Sequence, residues 1–332
     1  MVETTKIWLP NADSTYKCGE SLAHTLYGKT LTIGLVGDLG AGKTTFLQGF
    51  LGELGISDNI TSPTYALEQR YSTPSTDIIH IDLYRLEEVQ AKELLSQTDD
   101  FEGIRCIEWL DKAGASAMCD ILITLTDGKN DGRDITIEFR DMTYPTKEQI
   151  IGWREDMSLP PHIRRHCDTV ADFASSLATE ILSNGIIVRK GALSIAGLIH
   201  DLMRFIDFTH GATHNDSEED RSIWNTWKLQ YPGLHHEAAC AEFLEEHGHK
   251  EFASIVRTHG LGSTLKPLNT IEQKLLFYAD KRVIEDRVVS LKERFADFIV
   301  RYGNGKQSEE VLNWHNECIT LEKEITSLMP QK

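Results

Sequence analysis

The sequence predicts an α/β domain over residues 1–143 and a mostly α-helical domain over residues 162–332, joined by a linker at 144–161. Three observations predict this. A glycine-rich stretch, Gly37-Asp38-Leu39-Gly40-Ala41-Gly42-Lys43-Thr44, stands between a β-branched apolar run and a run of helical period. Strand-like alternation recurs before residue 143 and largely disappears after Pro161. Histidines and aspartates recur inside apolar helical stretches of the second half. A chain of 332 residues is long enough for two domains.

Composition narrows the function classes. Hydrophobic residues at 40% and charged residues at 26% fit an ordinary soluble globular protein. The net charge of −17 divides into −11 for residues 1–150 and −6 for the rest, so neither half is a basic platform. Strong direct nucleic-acid binding is therefore not expected, and a role in RNA biology would run through a protein partner. The first ten residues lack the apolar core of a secretory signal, and no run approaches 18 apolar residues, so no membrane association is expected. Six scattered cysteines without a C-x-x-C pair suit a reducing, cytoplasmic setting.

Taken in order, Lys6 to Leu9 reads as a short strand, and Asp13 to Leu26 as a helix. Asn11 or Asp13 caps it, with Tyr16, Leu22 and Leu26 inward. Thr30 to Val36 is a buried strand, and Thr45 to Leu54 a helix with Phe46, Phe50, Leu51 and Leu54 at helical spacing. Between them, G-x-x-x-x-G-K-[ST] is the pattern of a nucleoside-triphosphate phosphate cradle, or P-loop. Its glycines let backbone N–H groups turn onto phosphate oxygens, Lys43 can reach the β- and γ-phosphates, and the Thr44 hydroxyl can hold Mg²⁺. The helix that follows points its positive end at the anion. In Thr61-Ser62-Pro63-Thr64-Tyr65 the hydroxyls can approach the γ-phosphate or its Mg²⁺, or form an ordinary turn. Asp77 to Arg85 reads as a strand ending at Asp82, a carboxylate placed to hold Mg²⁺ or simply to cap the strand. Ile104 to Trp109 reads as another strand, in which Glu108 can orient or deprotonate water and Trp109 can flank the nucleotide or fill the core. Strands at Asp120 to Thr126 and Asp134 to Arg140, with a turn at Asp127 to Gly132, close this α/β P-loop NTPase-like domain.

The ordered set GDLGAGKTT, TSPTY, DLYR and IEW resembles the TsaE family, small ATPases of bacterial threonylcarbamoyladenosine (t6A) tRNA modification. The resemblance covers roughly residues 1–143. It implies action with the partner proteins TsaB and TsaD at adenosine 37 of tRNA, with ATP or ADP and Mg²⁺ in the cradle. By position, Gly37, Asp38, Leu39, Gly40, Ala41, Gly42, Lys43, Thr44 and Thr45 would hold the nucleotide. Thr44 and Asp82 would organise Mg²⁺, and Thr64 would act in a switch-like loop. Lys43 and Glu108 would serve catalysis, and Trp109 would sit near the nucleotide.

Prolines punctuate the linker, with a short helix possible from Thr146. Beyond Pro161, Val170, Phe173, Ala174, Leu177 and Ile181 repeat at helical spacing, with His166 one turn earlier. Gly191 to Phe205 reads as one apolar helix carrying His200-Asp201. His235-His236 opens another helix, His259 sits in SIVRTHG, and Asp280 sits in LLFYADKRV. An adjacent His-Asp pair is costly to bury without a partner, and imidazoles and carboxylates from separate helices can converge on a divalent ion. Each residue alone also fits a plain role: His235 and His236 can cap a helix, and Asp280 can pair with Lys281 or Arg282.

The order His, His-Asp, His, His, Ala-Asp over residues 160–290 resembles the HD superfamily of metal-dependent phosphohydrolases. That resemblance implies an all-α HD-type helical domain holding one or two divalent metals (Mn, Fe, Co, Ni or Mg). By position, His166, His200, Asp201 and Asp280 would be primary ligands, and Asp201 would help activate water. His236 and His259 would bind a second metal or substrate phosphate, and Arg204 would grip phosphate. A nucleotide is the expected substrate. Asp207 to Gly233, with His210, His214 and an acidic run, reads as a long solvated insertion or lid. Two helical segments, Leu291 to Ile299 and Val311 to Leu328, separated at Gly303-Asn304-Gly305, finish the domain.

The leading expectation is thus an ATPase component of t6A biosynthesis fused to a divalent-metal phosphohydrolase. The alternative is an ATP-gated assembly module whose helical half senses a nucleotide without cleaving it. A small P-loop kinase fits less well, since no basic phosphoacceptor or lid segment is evident.

Overall fold

The computed structural model describes residues 2–208, 216–260, 268–302 and 308–331. The chain forms two compact units, Met1–Met142 with Ile181–Val188, and Thr143–Glu180 with Arg189–Lys332. No helix among the described residues is long and apolar enough to cross a membrane. All six cysteines are free and buried, and burial pushes the thiols of Cys18, Cys106 and Cys240 far above their usual range.

The first unit is a seven-stranded mixed sheet in the order β1-β7-β6-β2-β5-β4-β3. Its strands are β1 Glu3–Leu9, β2 Leu31–Val36, β3 Glu68–Ser72, β4 Asp77–Asp82, β5 Ile104–Glu108, β6 Ile121–Asp127 and β7 Arg133–Phe139. The centre, β6-β2-β5-β4, is parallel, and the flanking pairs are antiparallel. Parallel strands are covered on both faces, which is why LTIGLV of β2 is almost wholly buried. One face packs Ile33, Leu35, Phe46, Phe50 and Ile123, and the other Ile79, Ile81, Ile107 and Leu122. In the β4–β5 register Asp82 faces Glu108, and in β2–β5 Leu35 faces Glu108. The loop after β2 therefore opens beside two carboxylates at strand C-termini, where ligands of open α/β sheets bind.

Several expectations are corrected. The first strand starts at Glu3, and β6 and β7 sit one residue from their expected bounds. Helix α1 is Ala12–Ala23, capped by the Asn11 side chain, which accepts from Ser14 N–H. Tyr16 is exposed, and Thr15, Cys18, Gly19 and Leu22 face inward. The cause is the close approach of α1 to α2 (Lys43–Glu53). A Cβ on Gly19 would lie 2.0 Å from the Phe46 carbonyl oxygen, and one on Gly49 1.9 Å from that of Tyr16. Two backbones so close leave no room for a phenol between them. Helix α3 (Glu88–Ser96) and edge strand β3 had no clear periodic signal.

The second unit is built of helices α4 Lys147–Asp156, α5 Pro161–Ser183, α6 Lys190–Ile199, α7 Glu218–Gln230, α8 His236–Glu246, α9 Lys250–Val256, α10 Ile271–Asp280, α11 Leu291–Tyr302 and α12 Glu309–Ser327. A two-stranded hairpin, β8 Val283–Ile284 and β9 Arg287–Val288, follows α10. The expected helix Gly191 to Phe205 ends early, at Ile199. His200 Nδ1 bonds the Gly197 carbonyl at 2.8 Å, the acceptor that the Asp201 N–H would need to continue the helix. His200 and Asp201 thus lie in the turn leaving α6, and a 3₁₀ turn, Arg204–Asp207, follows. The long insertion contains the helix α7. Its acidic run is the first turn of α7, where carboxylates suit the helix dipole and Ser217 and Asp220 form a capping box. Trp224 of α7 is buried and stacks on Phe205 at 5.7 Å. His210, His214 and Gly303-Asn304-Gly305 lie outside the described residues.

Candidate functional site

In the first unit the glycine-rich loop takes the conformation its sequence demands. Gly37, Gly40 and Gly42 have φ of 143°, 81° and 102°, values that L side chains rarely adopt. A Cβ on Gly37 would also lie 2.1 Å from the Leu125 carbonyl oxygen. The loop hands directly into α2, whose first residue is Lys43. A cavity of about 320 Å³ opens there, lined by Leu39, Gly40, Gly42, Lys43, Thr44 and Thr45 from the loop and helix, Ser62 and Thr64 opposite, and Asp82, Tyr84, Glu108 and Trp109 from the strand ends.

The polar groups of this cavity are mutually arranged. Lys43 Nζ donates to the carbonyls of Gly37 at 2.6 Å and Asp38 at 2.9 Å. It also lies 3.6 Å from the centre of the Trp109 ring, a favourable place for a cation. Burial lowers the Lys43 pKa, opposed by the charges of Glu108, Asp111, Asp82 and Asp38. The Thr44 hydroxyl is 3.0 Å from both Glu108 carboxylate oxygens. The Ser62 and Thr64 hydroxyls donate to Asp82 Oδ2 at 2.5 and 2.6 Å. Trp109, at φ 62°, packs on Tyr84 with ring centres 4.9 Å apart. The donors around the cavity floor are thus hydroxyls and carboxylates, the hard oxygen set that Mg²⁺ takes. The residues fit that ion.

In the second unit five segments bring a buried cluster together. His166 comes from α5, His200 and Asp201 from the exit of α6, His236 from the first turn of α8, His259 from the turn after α9, and Asp280 from the last turn of α10. All six are buried. His166 Nε2 is 3.0 Å from Asp280 Oδ1 and 3.9 Å from Asp201 Oδ2. His200 Nε2 lies 3.7 Å from Asp201 Oδ2 and 3.8 Å from Asp280 Oδ1. Asp201 Oδ1 faces the other way, 3.1 Å from His236 Nε2 and 3.4 Å from His259 Nε2. One carboxylate therefore joins two imidazole groups.

The outer nitrogens are fixed by separate partners. His200 Nδ1 donates to Gly197 O at 2.8 Å, His259 Nδ1 to Val256 O at 2.5 Å, and His236 Nδ1 to Asp207 Oδ2 at 2.5 Å. With these bonds made, Nε2 of each ring faces the cluster. His200 Nε2 has no hydrogen-bond partner among the described residues. An orphaned buried nitrogen between two carboxylates, in a mixed N/O donor set, fits a divalent transition metal or Mg²⁺. Burial alone would raise the carboxyl groups. For Asp201 the histidines, His200 foremost, outweigh it and hold the group well below the carboxylate range. For Asp280, Lys281 with His166 and His200 does the same. His236 is raised, because its bonds to Asp201 and Asp207 outweigh burial. Lys281 is itself buried, and its Nζ donates to Asp280 Oδ2 and, at 2.9 Å, to the His259 carbonyl.

A family model described as threonylcarbamoyl adenosine biosynthesis protein TsaE matches residues 9–135. The tRNA threonylcarbamoyladenosine biosynthesis protein TsaE of Haemophilus influenzae is 35% identical over 143 residues, spanning 41% of this chain and 90% of that protein. The chain belongs to the TsaE family. The TsaE protein of a Nostoc species is 38% identical over 144 residues, 41% of this chain and 86% of its own. A predicted HD superfamily hydrolase involved in NAD metabolism from Clostridium acetobutylicum is 16% identical, spanning 54% of this chain and 99% of its own, with a TM-score of 0.33, too low to bear on fold or function.

Within the TsaE unit most of the residues singled out from sequence line one cavity; Gly37, Asp38 and Ala41 do not. Gly37 and Asp38 instead offer carbonyls to Lys43, and Ala41 is buried in the core. Beyond the TsaE unit, the six His and Asp residues converge, and the exposed His235 stays outside. Arg204 Nη1 pairs with Asp207 Oδ2 at 3.2 Å and sits 2.9 Å from His236 Nδ1, at the edge of the cluster. Sequence reasoning missed His80 and Asp207, and named Lys281 only as a pairing partner for Asp280, with which it does pair. Only His80 left a signal, as the polar residue two before Asp82 in an otherwise apolar strand.

Proposed function

We propose that the TsaE unit binds ATP with Mg²⁺ and hydrolyses it in t6A biosynthesis, acting on tRNA adenosine 37 through TsaB and TsaD. The arrangement of Lys43, Thr44, Asp82 and Glu108 around one cavity carries this reading. Mg²⁺, when bound there, would offset the charge that develops on the transferred phosphoryl group. Thr44 and Asp82 hold it, and Ser62 and Thr64 keep the Asp82 carboxylate in place. Lys43 leaves the Gly37 and Asp38 carbonyls for phosphate oxygens. Glu108 takes a proton from water as the water oxygen attacks the γ-phosphorus; the bond to the β-phosphate oxygen breaks, and ADP leaves. The net negative charge of residues 1–150 supports delivery through partner proteins rather than direct grip on tRNA.

We further propose that the helical unit is an HD-type phosphohydrolase acting on a phosphate ester, with a nucleotide as substrate. The observation behind it is Asp201, shared between the His166–His200–Asp280 and His236–His259 groups. Divalent ions held there supply Lewis-acid activation of water and of the phosphoryl group. Asp201 orients the nucleophile, and the half-exposed Arg204 guanidinium steers substrate phosphate to the cluster edge. Metal analysis of the purified chain, followed by a nucleotide hydrolysis screen with Mn²⁺, Fe²⁺, Co²⁺, Ni²⁺ and Mg²⁺, tests the second unit. ATP hydrolysis with and without TsaB and TsaD tests the first. A chain that holds no metal and hydrolyses neither ATP nor any phosphate ester sinks both.

A further inference from the structure

We infer that His80 is a positioning residue for ATP hydrolysis, holding Glu108 in place from behind. This rests on the reading of Glu108 as the group that takes the water proton. Along β4 alternate side chains share a face, so His80 lies on the same side of the sheet as Asp82. The parallel register sets His80 opposite Cys106 and Asp82 opposite Glu108 on β5. His80 is fully buried, and its Nε2 lies 3.0 Å from Glu108 Oε1. Its Nδ1 has no hydrogen-bond partner among the described residues. An ionised carboxylate only accepts, so Nε2 carries the hydrogen and donates it.

An imidazole at this position costs free energy that an aliphatic side chain would not, and the Glu108 bond is what offsets it. His80 does not line the nucleotide cavity; it acts through Glu108. The bond matters because, among the described residues, the other side chain holding Glu108 is Thr44, whose hydroxyl contacts both of its oxygens. Thr44 is also the residue placed to bind Mg²⁺. Its hydroxyl has a single hydrogen to share between the two carboxylate oxygens, and the direction of that hydrogen would follow the ion if Thr44 held Mg²⁺. The bond from His80 comes from a neighbouring strand inside the sheet and does not depend on the nucleotide. Oε1 stays anchored, and Oε2 is left to accept the proton.

The test is steady-state ATP hydrolysis by the full chain with TsaB and TsaD. His80→Gln keeps an N–H donor close to the imidazole Nε2, whereas the shorter His80→Asn is equally polar but cannot reach Glu108. His80→Asn should lower kcat about tenfold or more with KM for ATP within about twofold, and His80→Gln should stay within about threefold of the unaltered chain. Equal loss in both variants, a His80→Asn kcat within twofold of normal, or a KM that rises in step with the loss overturns the inference. Should the variants fold poorly, ¹⁵N-histidine spectra of the unaltered chain decide. One protected Nε2–H signal should persist with MgADP and vanish in Glu108→Ala; its absence also overturns the inference. No ATP hydrolysis by the unaltered chain, with or without the partners, overturns the reading of the site itself.

Discussion

Removing the Lys43 ammonium leaves the loop glycines in place but takes away the charge proposed to reach the phosphates. Lys43→Ala is expected to lower ATP hydrolysis by about a hundredfold or more, measured as kcat/KM in the presence of TsaB and TsaD. In the helical unit, Asp201→Ala deletes the carboxylate common to both imidazole groups, so metal content by mass spectrometry should fall to background and phosphatase turnover with it. Lys281→Met keeps bulk but frees Asp280 Oδ2 and the His259 carbonyl; metal affinity should weaken by about tenfold to a hundredfold while the fold survives. These roles differ in how legible they were. Lys43 and Thr44 stand in one contiguous motif whose spelling follows from backbone geometry. His80 meets Glu108 across two strands, 28 residues away, and Asp207 meets His236 across 29, so no local pattern marks either pair.

At the scale of elements, hydrophobic period was a good guide to strands and to long helices, because one face of each must be buried. It failed where a side chain overrides the backbone. Nothing in the period of GALSIAGLIHDLMRF shows that His200 will claim the Gly197 carbonyl and end α6. The same exit presents Asp201 to the cluster, so the misread boundary lies at the site. It failed again at Tyr16 of α1, where Gly19 and Gly49 bring the two helix backbones together beside the apolar contact of Cys18 and Leu22. Gly49→Ala should therefore destabilise the first unit by about 1–3 kcal/mol in urea unfolding, since its methyl group would strike the Tyr16 carbonyl. Capping, by contrast, could be anticipated. Thr146 accepts from Gln149 N–H at the start of α4, and Thr146→Ala should cost about 1 kcal/mol by the same measurement.

At the scale of the whole chain, two ligand-binding units should give two separable responses. MgADP should stabilise the TsaE unit, and Mn²⁺ the helical unit, by about 2.7 kcal/mol at a hundredfold excess over Kd, each raising the unfolding temperature of its own unit. Lys43→Ala should abolish the first shift alone and Asp201→Ala the second alone, read by differential scanning calorimetry. That Ile181–Val188 groups with the first unit was not visible in the sequence, because a helix carries no mark of which core its last turn joins. The six sequestered thiols offer a final consequence. Maleimides react with accessible thiolates, so the native chain should stay unlabelled under mild conditions. A cysteine introduced at an exposed position such as Leu229 in one unit and Met118 in the other would then take a dye or spin label uniquely, and the separation of the two units in solution could be measured without first removing any natural residue.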